Sequence, residues 1–77
     1  MTVKTNLFGV LADIAESSAI EVEGVTTTND LVREVQKKFP SFHRINFVVS
    51  VNRRVVSAGE NISENDEIAL LPPFSGG

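Results

Sequence analysis

Cysteine is absent from this 77-residue chain, which excludes disulfides, thiolate zinc sites and a cysteine nucleophile. Histidine occurs once, at His43, so a transition-metal site or a Ser-His pair has poor material to build on. Tryptophan and tyrosine are missing too, and the five phenylalanines must supply the large packing units of a small core. Acidic residues outnumber basic ones by ten to seven, and the net charge of −3 argues against nucleic acid, which demands a basic face. None of the five glycines sits in a GxGxxG or GxxxxGK phosphate cradle. No run approaches the roughly 18–20 apolar residues of a membrane span. Met1-Thr2-Val3-Lys4 lacks the apolar region of a signal peptide, and a cytoplasmic protein is expected.

The residues present are enough for one domain near the lower size limit for folding without staples. Thr2 to Phe8 favours a strand with Val3, Thr5 and Leu7 on one side, broken by Gly9. Val10, Leu11, Ile14 and Ala15 recur at helical spacing and predict a short helix ending by Ser17-Ser18. Ile20 and Val22 predict a second strand that pairs antiparallel with the first. The clearest helix spans 29–39, with Thr27 at the N-cap and Asp30 as a short-armed capping-box partner. Leu31, Val32, Val35 and Phe39 form its apolar stripe, Lys37 and Lys38 suit its last turn, and Pro40 ends it.

Phe47 to Val51 is almost continuously apolar and β-branched, the pattern of a strand covered on both faces. Asn52-Arg53-Arg54 predicts a turn, Val55-Val56 a short return strand, and Ile62 a core anchor in the loop. Glu64-Asn65-Asp66 turns the chain, with Asn65 suited to positive φ. Glu67 to Leu71 is the last strand, Ile68 and Leu70 facing opposite to Ala69 and Leu71. The sum is an α+β domain, a mixed sheet of about five strands under one main helix (29–39).

Titratable groups do not assemble into a catalytic pattern. His43 stands alone after the helix, and Arg53-Arg54 reads as a solvent-facing turn. Glu64, Asp66 and Glu67 cluster without the glycine and spacing of a Ca²⁺ loop. The end of the sequence is different. Pro72-Pro73 cannot continue a strand, because proline fixes φ and has no N–H to give. A stiff arm over 72–77 is therefore expected to leave the 1–71 domain. Gly76 and Gly77 lack Cβ atoms, so a partner can close a narrow channel around them. The α-carboxylate beyond Gly77 is the reactive handle such an arm presents.

Several stretches together resemble the small subunit of molybdopterin synthase, the MoaD branch of the MoaD/ThiS sulfur carriers. They are Phe8-Gly9-Val10-Leu11-Ala12-Asp13, the Thr27-capped helix, Val51-Asn52, Asn65-Asp66-Glu67-Ile68 and Leu70-Leu71-Pro72-Pro73-Phe74-Ser75-Gly76-Gly77. The chain departs from that pattern at Ala12, where Arg or Lys is common, and at Asn65, where Gly is. The resemblance implies a ubiquitin-like β-grasp fold and a role without catalysis of its own. A ubiquitin-activating-like adenylyltransferase would use ATP and Mg²⁺ to adenylate the Gly77 carboxylate, this chain binding neither metal nor cofactor. A sulfur-donor enzyme would convert the product to a thiocarboxylate. The large synthase subunit, joined with this chain in a heterotetramer, would pass the sulfur to a cyclic pyranopterin precursor of molybdopterin. Phe74, Ser75 and Gly76 would occupy the partner's channel, and Phe8, Val55 and Leu71 would form the apolar docking interface. Two other roles stay open: a sulfur carrier for thiazole or tRNA thiolation or a ubiquitin-like modifier, and a β-grasp interaction domain without chemistry.

Overall fold

Alternation along the first strand sorts the sheet into a covered face and an open one. In β1 (Thr2–Leu7), Val3, Thr5 and Leu7 are buried while Thr2 and Lys4 are exposed. The structure, a computed structural model, describes residues 2–56 and 59–72. After β1 come α1 (Val10–Ala15), β2 (Ala19–Glu23), α2 (Thr28–Lys38), a 3-10 turn (Pro40–Arg44), β3 (Val48–Val51), β4 (Arg54–Val56) and β5 (Ile68–Leu71). The five strands lie in the order β2-β1-β5-β3-β4. β1 and β5 run parallel in its middle, and antiparallel partners flank them: β2 on β1, β3 on β5, β4 on β3.

The expected mixed sheet under one long helix is present. Val3, Leu7, Val22, Val49, Ile68 and Leu70 bury one sheet face against Leu11, Val25, Leu31, Val35 and Phe42. Leu31 and Val35 are fully buried, each worth about 1.5–3 kcal/mol relative to exposure. The helix begins one residue before the expected start. Thr27 Oγ1 accepts the Asp30 N–H at 3.1 Å, the N-cap bond the sequence predicts. The Asp30 carboxylate, however, bonds mainly beyond Thr27, whose own groups act on it more weakly than those of Thr26. It accepts the Thr26 N–H at 3.3 Å and the Thr26 hydroxyl at 3.1 Å, one residue further out.

Four local expectations change. Both helices pack on one face of β3; on its other face Val48 is 45% exposed, while Ser50, flanked by Ala69 and Val55, is buried. The β3–β4 turn is a two-residue hairpin turn, Asn52 and Arg53 both at positive φ, and Arg54 already belongs to β4. Asn65 does not adopt positive φ; among the described residues the left-handed non-glycine positions are Glu16, Asn52 and Arg53. Pro40 stops α2 but also opens the 3-10 turn that buries Phe42. The Phe42 ring stacks on Phe39 at 5.2 Å and meets Phe47 edge-on at 5.9 Å, closing the end of the core.

Candidate functional site

The last strand ends in the middle of the sheet rather than at its rim. Leu7 pairs with Leu70 on one side, and Val48 pairs with Leu71 on the other. Pro72, half-buried, therefore leaves between the end of β1 and the start of β3. Phe8, the residue after β1, stands at that exit and is 48% exposed. Val10, the first residue of α1, is 44% exposed beside it in sequence. Pro72 thus leaves the sheet between the strand ends that carry the exposed Phe8 and Val48.

Register gives Phe8 and Val48 their orientation. Cross-strand partners share a face, so Leu71, Val48, Ser50, Ala69 and Val55 all belong to the face away from the helices. Phe8 continues the alternation of Lys4 and Asn6 onto the same face. Val55 is 65% exposed near the sheet's β4 edge. Phe8, Leu71 and Val55, the three interface residues expected from sequence, accordingly share the face away from the helices, with Ser50 buried between Val55 and Ala69. Val48 adds apolar surface to that face, which the sequence pattern alone does not reveal. Val48 lies in an apolar run in which nothing local separates an exposed valine from a buried one. On α1, Val10 falls within the helical spacing yet is exposed, whereas Leu11 beside it is fully buried.

The proposed channel residues Phe74, Ser75 and Gly76, and the reactive Gly77, lie outside the described residues, as does Pro73. The exit that precedes them is firmly built. The Phe8 carbonyl accepts the Leu11 N–H at 3.2 Å, and the Gly9 carbonyl accepts the Asp13 N–H at 3.2 Å, which fixes the first turn of α1 to the end of β1. The Leu7 N–H donates to the Ser18 carbonyl at 2.8 Å, tying the far end of the α1 connection back to the same strand.

Elsewhere the titratable side chains do structural work. His43 is exposed in the 3-10 turn. Asp66 accepts the Ser63 N–H at 2.8 Å and the Asn52 amide at 3.1 Å, which holds its carboxyl below the usual range. Asp30 is lowered likewise, first by the Thr26 N–H and then by the Thr26 hydroxyl. Among the described residues, no group of three or more His, Asp or Glu side chains could hold a metal ion. A groove of about 210 Å³ between α2 and β3–β4 is lined by Thr28, Asn29, Val32, Phe47, Val48, Val49 and Val56. It contains no titratable side chain to move a proton. Among the described residues no helix is long and apolar enough to cross a membrane.

The model of the ThiS family matches residues 5–77. Among solved structures, SAMP1 from Haloferax volcanii is 27% identical, with a TM-score of 0.85 and coverage of 100% of both chains. A putative molybdopterin converting factor subunit 1 from Pyrococcus furiosus is 23% identical over 96% of this chain and 99% of its own, with a TM-score of 0.86. A complex of subunits 1 and 2 of the molybdopterin-converting factor from Helicobacter pylori 26695 contains a chain 22% identical, with coverage of 100% of both and a TM-score of 0.64. These likenesses identify the mixed five-stranded sheet as a ubiquitin-like β-grasp.

Proposed function

This chain belongs to the ThiS family of small sulfur carriers, and we propose that it is the MoaD-type small subunit of a molybdopterin synthase. The observation that carries the reading is the exit of Leu71-Pro72 from the sheet centre through the exposed Phe8 and Val48, with Ser75-Gly76-Gly77 still to come. A partner can cover the apolar face and receive the slim end of the chain at the same time. The named relatives include a complex of a subunit 1 with a subunit 2, which supports a large-subunit partner here.

The chemistry follows from what a carboxylate lacks. Its leaving group would be oxide, so it does not acylate until activated. The Gly77 carboxylate oxygen attacks the α-phosphorus of ATP, held with Mg²⁺ by an activating adenylyltransferase, and pyrophosphate departs. Sulfur at the sulfide level, delivered by a donor enzyme, displaces AMP from the acyl carbon and leaves a thiocarboxylate. Inside the large subunit that sulfur passes to the cyclic pyranopterin precursor, and water restores the carboxylate. Gly76 and Gly77 suit this route because a backbone without side chains fits a channel too narrow for others. This chain contributes the acyl carbon and the docking face; the partners contribute the catalytic groups.

Intact mass of the protein isolated from its own cells tests the reading. A sulfur-for-oxygen increment at Gly77, together with molybdopterin formation on addition of the large subunit and precursor, is expected. An unmodified carboxylate in cells actively making the cofactor would sink it. The 27% identity to SAMP1 favours one second reading, because a solved Haloferax volcanii chain of that name is a small archaeal modifier protein. In that role Gly77 would be joined to lysine amines, and isopeptide-linked conjugates would appear in lysates.

A further inference from the structure

Gly9 is a glycine for two separate reasons. Its backbone has φ +57° and ψ −133°, the mirror image of the polyproline basin and strained for any L side chain. Independently, a Cβ on Gly9 would stand 2.9 Å from Pro72 Cγ and 3.8 Å from Pro72 Cδ. The other described glycines at positive φ differ. Gly24 has nothing within 4 Å of its Cβ position, and Gly59 has only the Asn29 side-chain nitrogen at 3.8 Å. The need for space at Gly9 is therefore not a by-product of a turn; it arises from Pro72.

Both sides of this contact are stiff. The Gly9 carbonyl accepts the Asp13 N–H, so Gly9 is fixed to α1, and β1 holds it from the other direction through the Leu7–Leu70 pairing with β5. Pro72 has its φ set by its ring. It follows Leu71, which β3 holds through Val48. The ring thus rests on bare backbone at the point where the chain leaves the sheet. Each residue beyond it adds up to about 3.3–3.6 Å of reach, so a small rotation at Pro72 grows along the arm. A misplacement of about 1 Å at a reacting atom can cost on the order of a hundredfold in rate.

We propose that Gly9 is a positioning residue for the C-terminal arm: its side-chain-free backbone is the abutment against which the Pro72 ring sets the direction of Pro73 to Gly77. The inference rests on the sulfur-carrier reading for its consequence, the aim of Gly77 at the activating enzyme, but the abutment is a property of this chain alone. Nothing in the docking face needs to change when the aim is lost.

The test compares the full chain with Gly9→Ala, with D-alanine introduced at position 9 by chemical synthesis, and with Pro72→Ala. D-alanine adopts this backbone without strain and carries its methyl on the other side of Cα from the position that meets Pro72. A nitroxide on Lys4→Cys, exposed on the open face of a chain without other cysteines, reports arm direction through line broadening at the Gly76 and Gly77 amides. Gly9→Ala and Pro72→Ala are expected to change that broadening. In adenylation by the activating enzyme they should lower kcat by tenfold or more, with KM for the carrier within about threefold. The D-alanine chain should match the unsubstituted one in both. Unchanged broadening in Gly9→Ala, or a D-alanine chain as impaired as the L-alanine one, overturns the proposal. Should Gly9→Ala fail to fold, Pro72→Ala decides: altered broadening with lower kcat supports the abutment, and wild-type behaviour removes it. Broadening that changes as expected in a protein that no activating enzyme adenylates would sink the sulfur-carrier reading and leave the abutment standing.

Discussion

Asn52 Nδ2 donates to Asp66 Oδ1 at 3.1 Å, joining the tip of the β3–β4 hairpin to the loop that leads into β5. Two further bonds run beside it. Asn52 Oδ1 accepts the Glu67 N–H at 2.9 Å, and the Asn52 N–H donates to the Glu67 carbonyl at 2.7 Å. Asn52 also has φ +52°, which asparagine enters more readily than most residues. One side chain therefore shapes the turn and sets where β5 begins, and β5 is the strand that delivers the arm.

Removing that side chain while keeping its backbone freedom separates the two roles. Asn52→Gly retains positive φ and loses the amide bonds to Asp66 and Glu67, and is expected to cost about 1–2 kcal/mol. Asn52→Val loses the bonds and adds a β-branched side chain at positive φ, and should cost more. Urea denaturation at neutral pH measures both. An Asn52→Gly chain as stable as the unsubstituted one would mean that the bridge contributes nothing.

Acid should weaken the fold through Asp30 and Asp66. Both carboxyls titrate below their ordinary 3.8, Asp30 because Thr26 donates to it and Asp66 because Ser63 and Asn52 do. A depressed native pKa means the unfolded chain takes up protons first. The stabilisation is full above the ordinary value and is lost as pH falls through the native one. The melting temperature is therefore expected to be level at neutral pH and to drop on acidification below about pH 4. Asp30→Asn and Asp66→Asn should each flatten that drop. If the double variant loses stability as steeply as the parent, other groups carry the acid sensitivity.

Thr5 presents the reverse case, a polar atom that stabilises nothing. It is fully buried, and its Oγ1 has no hydrogen-bond partner. Its neighbours across the sheet are Ile20 and Ile68. Thr5→Val removes a desolvated hydroxyl and puts a methyl among aliphatic groups, so stability should rise by about 1 kcal/mol. For a domain of this size that is roughly 4–8 °C in Tm. A fall in Tm would show that the hydroxyl has a partner after all, with a bound water the first candidate to seek.

Much of this fold is legible in the sequence because its signals are local. Alternation in Val3-Thr5-Leu7, the Thr27 cap, the Leu31-Val35 stripe and the proline stop at Pro72 are each short-range patterns with one physical reading. Other features depend on what lies opposite. Nothing in Phe47-Val48-Val49 says that one face is bare, because an apolar run fits either condition until the helices are placed. Phe42 was invisible for a similar reason: Pro40 reads as a stop, and the turn it starts is too short to show a period. The pairing of Gly9 with Pro72 comes from two parallel strands brought side by side, which neither local sequence encodes. The Phe8-Val55-Leu71 face was expected from family resemblance, whereas Val48 on the same face follows only from register and exposure.

That open face and the terminal glycines should fail in different ways when changed. Val48→Asp places a charge on an exposed site, so stability should change by less than about 0.5 kcal/mol. Placed within an apolar interface, the same charge should weaken binding to the large subunit by tenfold or more, read by titration calorimetry. Leu70→Asp, on the adjacent strand β5 but on the buried face, should instead unfold the chain. Deleting Gly77 leaves every residue of the described core and docking face in the chain. That variant is expected to keep its denaturation midpoint and its affinity for the large subunit while losing sulfur transfer altogether, because the acyl carbon no longer reaches the nucleotide. Gly76→Val should also block adenylation, since a β-branched residue widens the arm where the channel must be narrow. Normal adenylation of Gly76→Val would argue against a narrow channel, and full synthase activity after Gly77 deletion would remove the carboxylate from the mechanism.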